Sequence, residues 1–307
     1  MAGKTRFQIS KKDIINLFET KGKNIYSFSD LIQILDDNRE FWRLPKRLTG
    51  KLFIDLLLKN TKLNNHIIQF PNNKFIKYTW VPVSIFKLIL SINSKAYLSH
   101  YSAMQIHSLT EQIPKSIYIN IEQSNKSQIS NKLILQDRIK FAFSRNQRTT
   151  KNIANFHDFK IYLLNGKYTE NLGVIEHQYE TNEIIRVTDI ERTLIDIIVR
   201  PNYSGGIFEV LKAYQNAYYK VSINKLCSYL KKINFIYPYH QIIGFLLDKT
   251  KLYKENQINL LKQFNLGADR ITYHSQIIGT AFKKCPLLFC NHPEEFDRFV
   301  TEVSSLV

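Results

Sequence analysis

The first ninety residues alternate short amphipathic segments with polar breaks, a pattern typical of a small helical domain. The first segment predicts a helix from about Lys11 to Thr20, with Gly22 as its natural C-terminal cap. Its apolar side chains recur at helical spacing: Ile14, Ile15 and Phe18. A second helix is expected after Ser27-Phe-Ser-Asp30, which resembles a capping box because a hydroxyl and a carboxylate can satisfy free amides there. Its buried side would carry Leu31, Ile34 and Leu35.

A third helix and a hairpin complete this region. Pro45 cannot sit inside a helix, so the chain breaks there, and Thr49 is the expected N-cap of the third helix. The predicted buried stripe of that helix is Leu52, Phe53, Leu56 and Leu57. Two β-prone runs, 65–70 and 74–80, flank Pro71-Asn-Asn73 and predict a hairpin. Three helices followed by a hairpin is the order of a winged helix-turn-helix.

Positive charge is concentrated in this first region. The chain has a formal net charge of +17, and its richness in Lys, Asn and Ile is a bias that AT-rich coding sequence produces without selection for basicity. The distribution is more informative, because residues 1–95 hold 17 Lys or Arg against 7 Asp or Glu, and residues 96–307 hold 26 against 19. Residues 41–80 contain eight basic residues and one acidic residue, Asp55. Such a concentration is typical of a nucleic-acid or anionic-surface site.

A winged helix suits duplex DNA because its third helix can enter the major groove with its N-terminal residues at the base edges. Lysines on the hairpin can reach phosphates, which set position and most of the affinity. The predicted DNA-binding residues are Lys46, Arg47, Thr49, Lys51, Lys74 and Lys77. The alternative is a protein scaffold whose winged helix never meets DNA and whose lysines only solvate the surface.

The rest of the chain predicts a second, mixed domain over residues 95–307. Residues 95–200 combine helical runs with several apolar strands, residues 201–265 have an entirely helical pattern, and residues 266–307 form a closing segment. The expected fold class is α+β. An N-terminal winged helix-turn-helix over residues 1–94 is followed by a mixed α/β domain that ends in a helical bundle.

Three strings in this second region are distinctive. They are Ala96-Tyr-Leu-Ser-His-Tyr-Ser-Ala103 with Ile106 to Pro114, the segment from Val187 to Gly206, and Tyr237-Pro-Tyr-His-Gln-Ile-Ile-Gly-Phe245. In the first string, Ser99 is the expected N-cap of a helix, and His100 beside it is expected to be a surface or capping residue.

The second string has a structural interpretation of its own. Thr188-Asp-Ile-Glu191 predicts another capping box, which gives Glu191 a role at a helix start. Arg192, Asp196 and Arg200 lie four residues apart, so Arg192–Asp196 and Asp196–Arg200 can pair as ions along one helix face. We interpret this row as a structural clamp, with a partner-facing surface as the alternative.

Together with the winged helix, these strings resemble the AbiE-type abortive-infection antitoxins, the AbiEi family of transcriptional regulators. The resemblance spans roughly residues 10–265, and its most specific part is Thr-Asp-x-Glu-Arg-Thr-Leu-x-Asp from Thr188 to Asp196, followed by Arg200-Pro201. The family-motif positions are Ser99, His100, Tyr101, Thr188, Asp189, Arg192, Asp196, Arg200, Tyr237 and Gln241.

The resemblance implies a two-domain antitoxin that represses its own operon through the winged helix. The partner expected there is double-stranded operator DNA, an inverted repeat bound by a dimer or a pair of molecules. The second domain would antagonise a co-encoded toxin similar to nucleotidyltransferases. Inhibition in the family is often described as indirect, so contact between the two proteins stays open. The resemblance supplies no catalytic residue and no cofactor.

Catalytic and metal templates are missing or incomplete in the sequence. Neither a Gly-x-x-x-x-Gly-Lys phosphate loop nor a Gly-x-Ser-x-Gly elbow occurs. Cys285, Cys290 and His292 could supply three zinc ligands, but no fourth is evident, and buried thiols are expected instead. Asp158-Phe-Lys160 matches half of a restriction-type nuclease site, which needs further carboxylates to hold a divalent ion. We expect a protein that is not an enzyme, with a DNA-acting defence nuclease as the alternative.

Hydropathy and cysteine content predict the compartment. No run approaches eighteen uninterrupted apolar residues, and the N-terminus leads into polar sequence without an apolar core. Neither a membrane partner nor a secretory signal is therefore expected. Three cysteines, an odd number in a long chain, fit reduced thiols. These features predict a cytoplasmic protein.

Overall fold

The computed structural model describes residues 5–125, 148–180, 183–235, 237 and 239–262. Its first region has the winged-helix order that the sequence predicts. The elements are α1 (Arg6–Thr20), β1 (Ile25–Tyr26), α2 (Phe28–Asn38), α3 (Gly50–Asn60), β2 (Asn64–Gln69) and β3 (Lys74–Thr79). The closing segment, with Cys285, Cys290 and His292, lies outside the described residues.

Local capping fixes the ends of the first two helices. The box at Ser27 is confirmed, because Ser27 accepts from the Asp30 amide and the Asp30 carboxylate accepts from the Ser27 amide at 2.6 Å. A second capping box, which was not predicted, lies at Thr5, and α1 therefore starts at Arg6, five residues earlier than expected. The Thr5 amide donates to the Gln8 side chain at 2.8 Å, and the Thr5 hydroxyl accepts from the Gln8 amide. Gly22 follows α1 with a φ of +66°, a conformation that glycine adopts without strain.

The hairpin and β1 form a three-stranded antiparallel sheet in the order β1–β3–β2. Its register pairs Gln69 with Lys74 at the turn and Ile25 with Thr79 at the far end. Large apolar side chains from the three helices and the sheet pack into one core, which includes Phe18, Leu31, Leu35, Phe53, Leu57 and Trp80. This core joins the helices to the base of the hairpin.

The predicted buried stripe of α3 needs a correction. Leu52 is 52% exposed, whereas Ile54 is 3% exposed and packs with Phe53 and Leu57. Apolar residues occupy nearly every position from 52 to 58, so the sequence alone leaves open which side faces inward. Packing against α2 and the sheet selects the side, and α3 keeps the Leu52 side free.

The second region is built on a six-stranded mixed sheet in the order β6–β7–β5–β4–β9–β8. The inner pairs β5–β7 and β4–β9 are parallel, and β4–β5, β6–β7 and β8–β9 are antiparallel. The elements of this part are α4 (Ile85–Leu90), β4 (Tyr97–Leu98), α5 (His100–Ile106), β5 (Ser116–Glu122), β6 (Ile153–Phe156), β7 (Phe159–Gly166), β8 (Val174–Tyr179) and β9 (Glu183–Thr188).

Helices follow the sheet, and the first of them is α6 (Ile190–Val199). The described part of the region 201–265, predicted to be helical, contains α7 (Ile207–Asn216), α8 (Ile223–Ile233), α9 (Tyr239–Lys249) and α10 (Glu255–Lys262). Gly205 and Gly206 make the turn before α7, with φ of +80° and +91°. Helix α6 is central, because every residue from Glu191 to Ile198 is buried. No described helix combines the length and apolar character that crossing a bilayer requires.

The hairpin also packs against the second region. Ile68 and Phe70 are fully buried in an apolar cluster that includes Ile119 and Ile161 of the six-stranded sheet. His66 donates to or accepts from Thr79 at 2.8 Å, and its ring lies 6.1 Å from that of Phe156. One face of the hairpin is therefore covered.

Candidate functional site

The start of α3 displays the basic residues that the sequence singles out. Thr49 is the N-cap, and its hydroxyl accepts from the Leu52 amide at 3.4 Å. Arg39, the C-cap of α2, donates to the carbonyls of Pro45 (3.0 Å) and Leu48 (3.1 Å), which holds the loop before α3 against the domain. This segment carries Lys46, Arg47, Thr49 and Lys51, all of them exposed.

Within the described ranges, Lys46, Arg47 and Lys51 are not neutralised by an acidic side chain, unlike two other lysines of the domain. Lys23 pairs with Asp30 at 2.8 Å, and Lys62 pairs with Glu19 at 3.0 Å. In the part of the chain that the structure describes, the side chains of Lys46, Arg47 and Lys51 make no ion pair or hydrogen bond. We call these three residues the α3 basic cluster. Its charge is free to meet an anion in solution.

The two hairpin lysines do not share a surface. Side chains alternate along a strand, so Lys74 and Ile76 lie on one face of β3 and Phe75 and Lys77 on the other. Lys74 is exposed. Lys77 is half-buried on the face that carries Phe75, and burial lowers its pKa while Asp30 opposes that shift. Lys74 is therefore the hairpin lysine better placed to reach a phosphate.

A second candidate site is a cleft of about 710 Å³ in the second region, which we call the central cleft. It lies between the ends of β5 and β7, helix α6 and the segment before α9. Five of the ten family-motif positions line it, although they come from three separate strings: His100, Arg192, Asp196, Arg200 and Tyr237. The fold thus gathers residues that are more than 130 positions apart in the sequence.

A buried ion pair forms the inner side of the central cleft. Arg192 Nε lies 2.8 Å from Asp196 Oδ1, and the Arg192 guanidinium also donates to Thr169 Oγ1 (3.0 Å) and the Leu172 carbonyl (2.9 Å). This confirms the Arg192–Asp196 pair. Asp196 Oδ2 is buried and has no hydrogen-bond partner within the described residues. One residue of the cleft lining therefore has a carboxylate oxygen with unused acceptor capacity.

The predicted Asp196–Arg200 pair does not form. Arg200 ends α6, its side chain is exposed, and its guanidinium donates to the Arg148 carbonyl at 3.2 Å. The helix stops one residue too early for the i to i+4 geometry to apply, because Arg200 has φ −141° and ψ 67°. Arg200 is therefore a cation at the rim of the cleft and does not extend the clamp.

His100 is buried, which corrects the expectation that it is a surface or capping residue. Only 7% of the residue is exposed, and burial lowers its pKa to about 4. Its Nδ1 is 2.9 Å from the Ser99 hydroxyl, so Ser99 makes no side-chain cap for α5. The neighbouring strand β4 lies between β5 and β9 in the middle of the sheet, and it carries His100 inward.

The capping box predicted at Thr188 does not form, and the N-cap lies one residue later. Asp189 is the N-cap of α6 and accepts from the Arg192 amide at 2.8 Å, while the Thr188 and Thr193 hydroxyls bond each other. Glu191 acts between helices instead, because it accepts from the Ser222 amide at 2.8 Å and pairs with Lys225 at 3.0 Å. Its role is structural, as predicted, but it supports the start of α8.

The remaining motif positions, Tyr101 and Gln241, are half-buried and do not line the central cleft. Tyr101 packs between the helical core and a cluster of tyrosines that includes Tyr118 and Tyr203. Its pKa is raised, chiefly by burial and then by Glu209.

Asn120 lines the cleft and was not predicted from the sequence as a functional residue. Its Nδ2 donates to Tyr97 Oη at 2.6 Å, and its Oδ1 accepts from the Gly166 amide at 2.8 Å. It ties β5 to the end of β7 at the cleft. The sequence does contain a signal for this residue, because Asn120 is polar within the otherwise apolar run Ile117-Tyr-Ile-Asn-Ile121.

The nuclease half-motif, Asp158-Phe-Lys160, has no group of metal ligands beside it among the described residues. Asp158 is in the turn between β6 and β7 and Lys160 is on β7, and both are exposed. Across the described residues, no three His, Cys, Asp or Glu side chains are grouped so that they could hold a metal ion. Cys227 is buried, and burial raises its pKa to about 11.

Comparisons with known proteins bear on the fold alone. No family model matches the chain. No curated protein matches it either. Among solved structures, the chain is similar to the RV2827C protein from Mycobacterium tuberculosis, with a TM-score of 0.52 and 13% sequence identity. The match covers 82% of this chain and 80% of that one. The likeness supports the α+β architecture over most of the chain's length.

Proposed function

We propose that this protein binds double-stranded DNA through its winged helix and acts as an antitoxin that represses its own operon. The observation that carries the proposal is the α3 basic cluster, Lys46, Arg47 and Lys51, exposed and unpaired within the described residues. DNA phosphates are suitable partners for such cations, and their neutralisation releases counterions from the duplex.

The position of the cluster favours DNA over a general acidic surface. In a winged helix, the start of the third helix is the part that reaches base edges. Helix α3 presents Lys51 and Leu52 on the exposed side of its first turn, and the amide dipoles at this end favour an anion. An exposed leucine is suited to apolar contact with a thymine methyl group. Lys74 adds a cation on the hairpin.

The antitoxin part of the proposal rests on the family resemblance of the second region. Motif residues from three strings, His100, Asp196 and Tyr237 among them, line one cleft. This convergence favours a common task for strings that are distant in sequence. A co-encoded, nucleotidyltransferase-like toxin is the antagonised partner that the resemblance implies.

A gel-shift experiment with the full chain tests the DNA-binding step. The probes are the region upstream of the protein's own gene and a scrambled duplex of equal length. We expect the upstream region to be bound more tightly, and charge reversal of the α3 basic cluster to glutamate to abolish binding. A control triple reversal of Lys95, Lys212 and Lys251, which are exposed elsewhere, keeps most of the affinity.

Two outcomes would contradict the proposal. The first is an equal absence of binding to both duplexes, which would favour a winged helix used only for protein contact. The second is wild-type binding by the variant with the reversed α3 basic cluster, which would place the DNA interface elsewhere.

A further inference from the structure

We propose that the central cleft is a binding site for a nucleotide whose base carries an amino group. The volume of about 710 Å³ lies in the range of small-molecule sites, and the lining combines one buried acceptor, several aromatic rings and rim cations. Each of these three features matches a different part of a nucleotide.

The buried acceptor is Asp196. Its side chain is 10% exposed, and Oδ1 is already engaged by Arg192. Oδ2 lacks a hydrogen bond within the described part of the chain. A buried carboxylate oxygen without a donor costs free energy, and a ligand N–H that reaches it recovers that cost. An amino group on a planar base is such a donor.

Aromatic rings line the cleft on the side of the helices. Tyr203, Phe235, Tyr237 and Tyr239 all contribute. The Phe235 and Tyr239 centroids are 5.1 Å apart, and those of Tyr237 and Tyr239 are 6.2 Å apart, in both cases edge to face. Aromatic rings in the lining of a cleft can stack on a nucleobase with little dependence on sequence. Aliphatic side chains do not stack in this way. The aliphatic residues of the lining, Leu164 and Val199, are outnumbered by the aromatic ones.

Cations lie at the rim, where phosphates would meet solvent. Arg148 and Arg200 are both exposed and line the cleft. Arg200 is close enough to Tyr239 to lower the pKa of that phenol, although burial dominates and raises it to about 12. Lys167 is less available, because its ammonium donates to the carbonyls of Ile233 (2.6 Å) and Asn234 (2.9 Å). Two arginines therefore remain for a phosphate chain.

The combination discriminates against simpler ligands. An inorganic anion would use the arginines and leave both the aromatic rings and Asp196 Oδ2 unused. Its phosphate oxygens would also be repelled by that buried carboxylate. A nucleoside without phosphate would use the rings and Asp196 and leave Arg148 and Arg200 unpaired.

Isothermal titration of the full chain tests this site independently of any DNA binding. The ligands are ATP, GTP, CTP, UTP, adenosine and pyrophosphate. We expect at least one of the three amino-bearing triphosphates to bind with a micromolar Kd, about tenfold tighter than UTP, which lacks the amino group. The same triphosphate should bind about tenfold tighter than adenosine or pyrophosphate.

Variants locate the binding in the cleft. Arg200→Gln should weaken binding of the best triphosphate about tenfold, and Tyr237→Leu at least fivefold. Lys212→Gln removes an exposed positive charge on α7, outside the cleft, and should leave the Kd unchanged. Thermal unfolding of each variant without ligand verifies that it is folded, and if one is not, the other carries the test.

Four results would overturn the proposal: no triphosphate binding below millimolar concentration, UTP binding as tight as that of the best amino-bearing triphosphate, pyrophosphate binding as tight as that of the best triphosphate, or an unchanged Kd in both folded cleft variants.

Discussion

Arg192 and Asp196 form a buried ion pair within helix α6, with Nε and Oδ1 2.8 Å apart. The exposed fractions of the two side chains are 4% and 10%. Arg192 also holds the segment before β8 through Thr169 and Leu172. The most specific motif string is thus located where a helix, a loop and the central cleft meet.

Removing one partner of this pair should be strongly destabilising. In Arg192→Met, the Asp196 carboxylate stays buried without compensation, so we expect a loss of about 3–5 kcal/mol in the free energy of unfolding, measured with urea. The double variant Arg192→Met with Asp196→Leu should lose clearly less than the sum of the two single variants. Additive losses would show that the two charges do not interact.

Stability should depend on pH through His100. Burial lowers its pKa to about 4 from an ordinary 6.5; Asp196 opposes the shift and Arg192 and Arg200 add to it. Between these two values, the unfolded chain binds a proton that the folded chain refuses, so the free energy of unfolding falls as pH drops from about 6.5 to about 4. His100→Gln should reduce that slope by up to about 1.4 kcal/mol per pH unit.

Urea unfolding at pH 7, 6 and 5 measures this slope. His240, whose pKa burial also lowers to about 4, is retained in both proteins, so part of the pH dependence remains. Parallel stability curves for the wild type and His100→Gln would rule out a titrating role for His100.

Gly166 should not tolerate even one methyl group. A Cβ there would lie 2.5 Å from Asn120 Nδ2, an atom already held by its bond to Tyr97. We expect Gly166→Ala to lower the free energy of unfolding by about 1–3 kcal/mol. Asn165→Ala, at an exposed neighbouring position on β7, is the control and should change stability by less than about 0.5 kcal/mol. Equal stability of the two variants would contradict the close contact.

The parts of the fold that depend on local chemistry could be predicted from the sequence. The Ser27 capping box, Gly22 and the Asn-rich hairpin turn each depend on residues close by in the chain. They can therefore be predicted without knowing which other elements pack against them. The side of α3 that is buried was not predictable, because Leu52 and Ile54 are equally apolar. Only packing against α2 and the sheet distinguishes them.

The central cleft could not be predicted from the sequence, for a different reason. Its lining needs the strand order β5–β4–β9, in which neighbours such as Leu98 and Val187 are far apart in the chain. Nothing local encodes that pairing, so His100 was expected at the surface. Asn120 was detectable as a polar residue among apolar ones, but its partner Gly166 was not.

DNA binding and toxin neutralisation should separate by mutation if they reside in different regions. Charge reversal of the α3 basic cluster should abolish repression of a reporter under the upstream region. Growth rescue from the co-encoded toxin should persist at least in part, because the second region is unchanged. Repression that survives the reversal would show that the assignment of α3 is wrong.

The most direct test of DNA recognition by the α3 basic cluster is the salt dependence of binding. Fluorescence anisotropy of a labelled upstream duplex gives Kd for the wild type and for the triple variant Lys46→Gln, Arg47→Gln, Lys51→Gln at several salt concentrations. Each phosphate contact contributes about 0.9 to the slope of log K against log salt. We expect steep salt dependence for the wild type and a slope shallower by about 3 for the variant. Identical slopes, or wild-type binding that does not depend on salt, would contradict DNA recognition by this cluster.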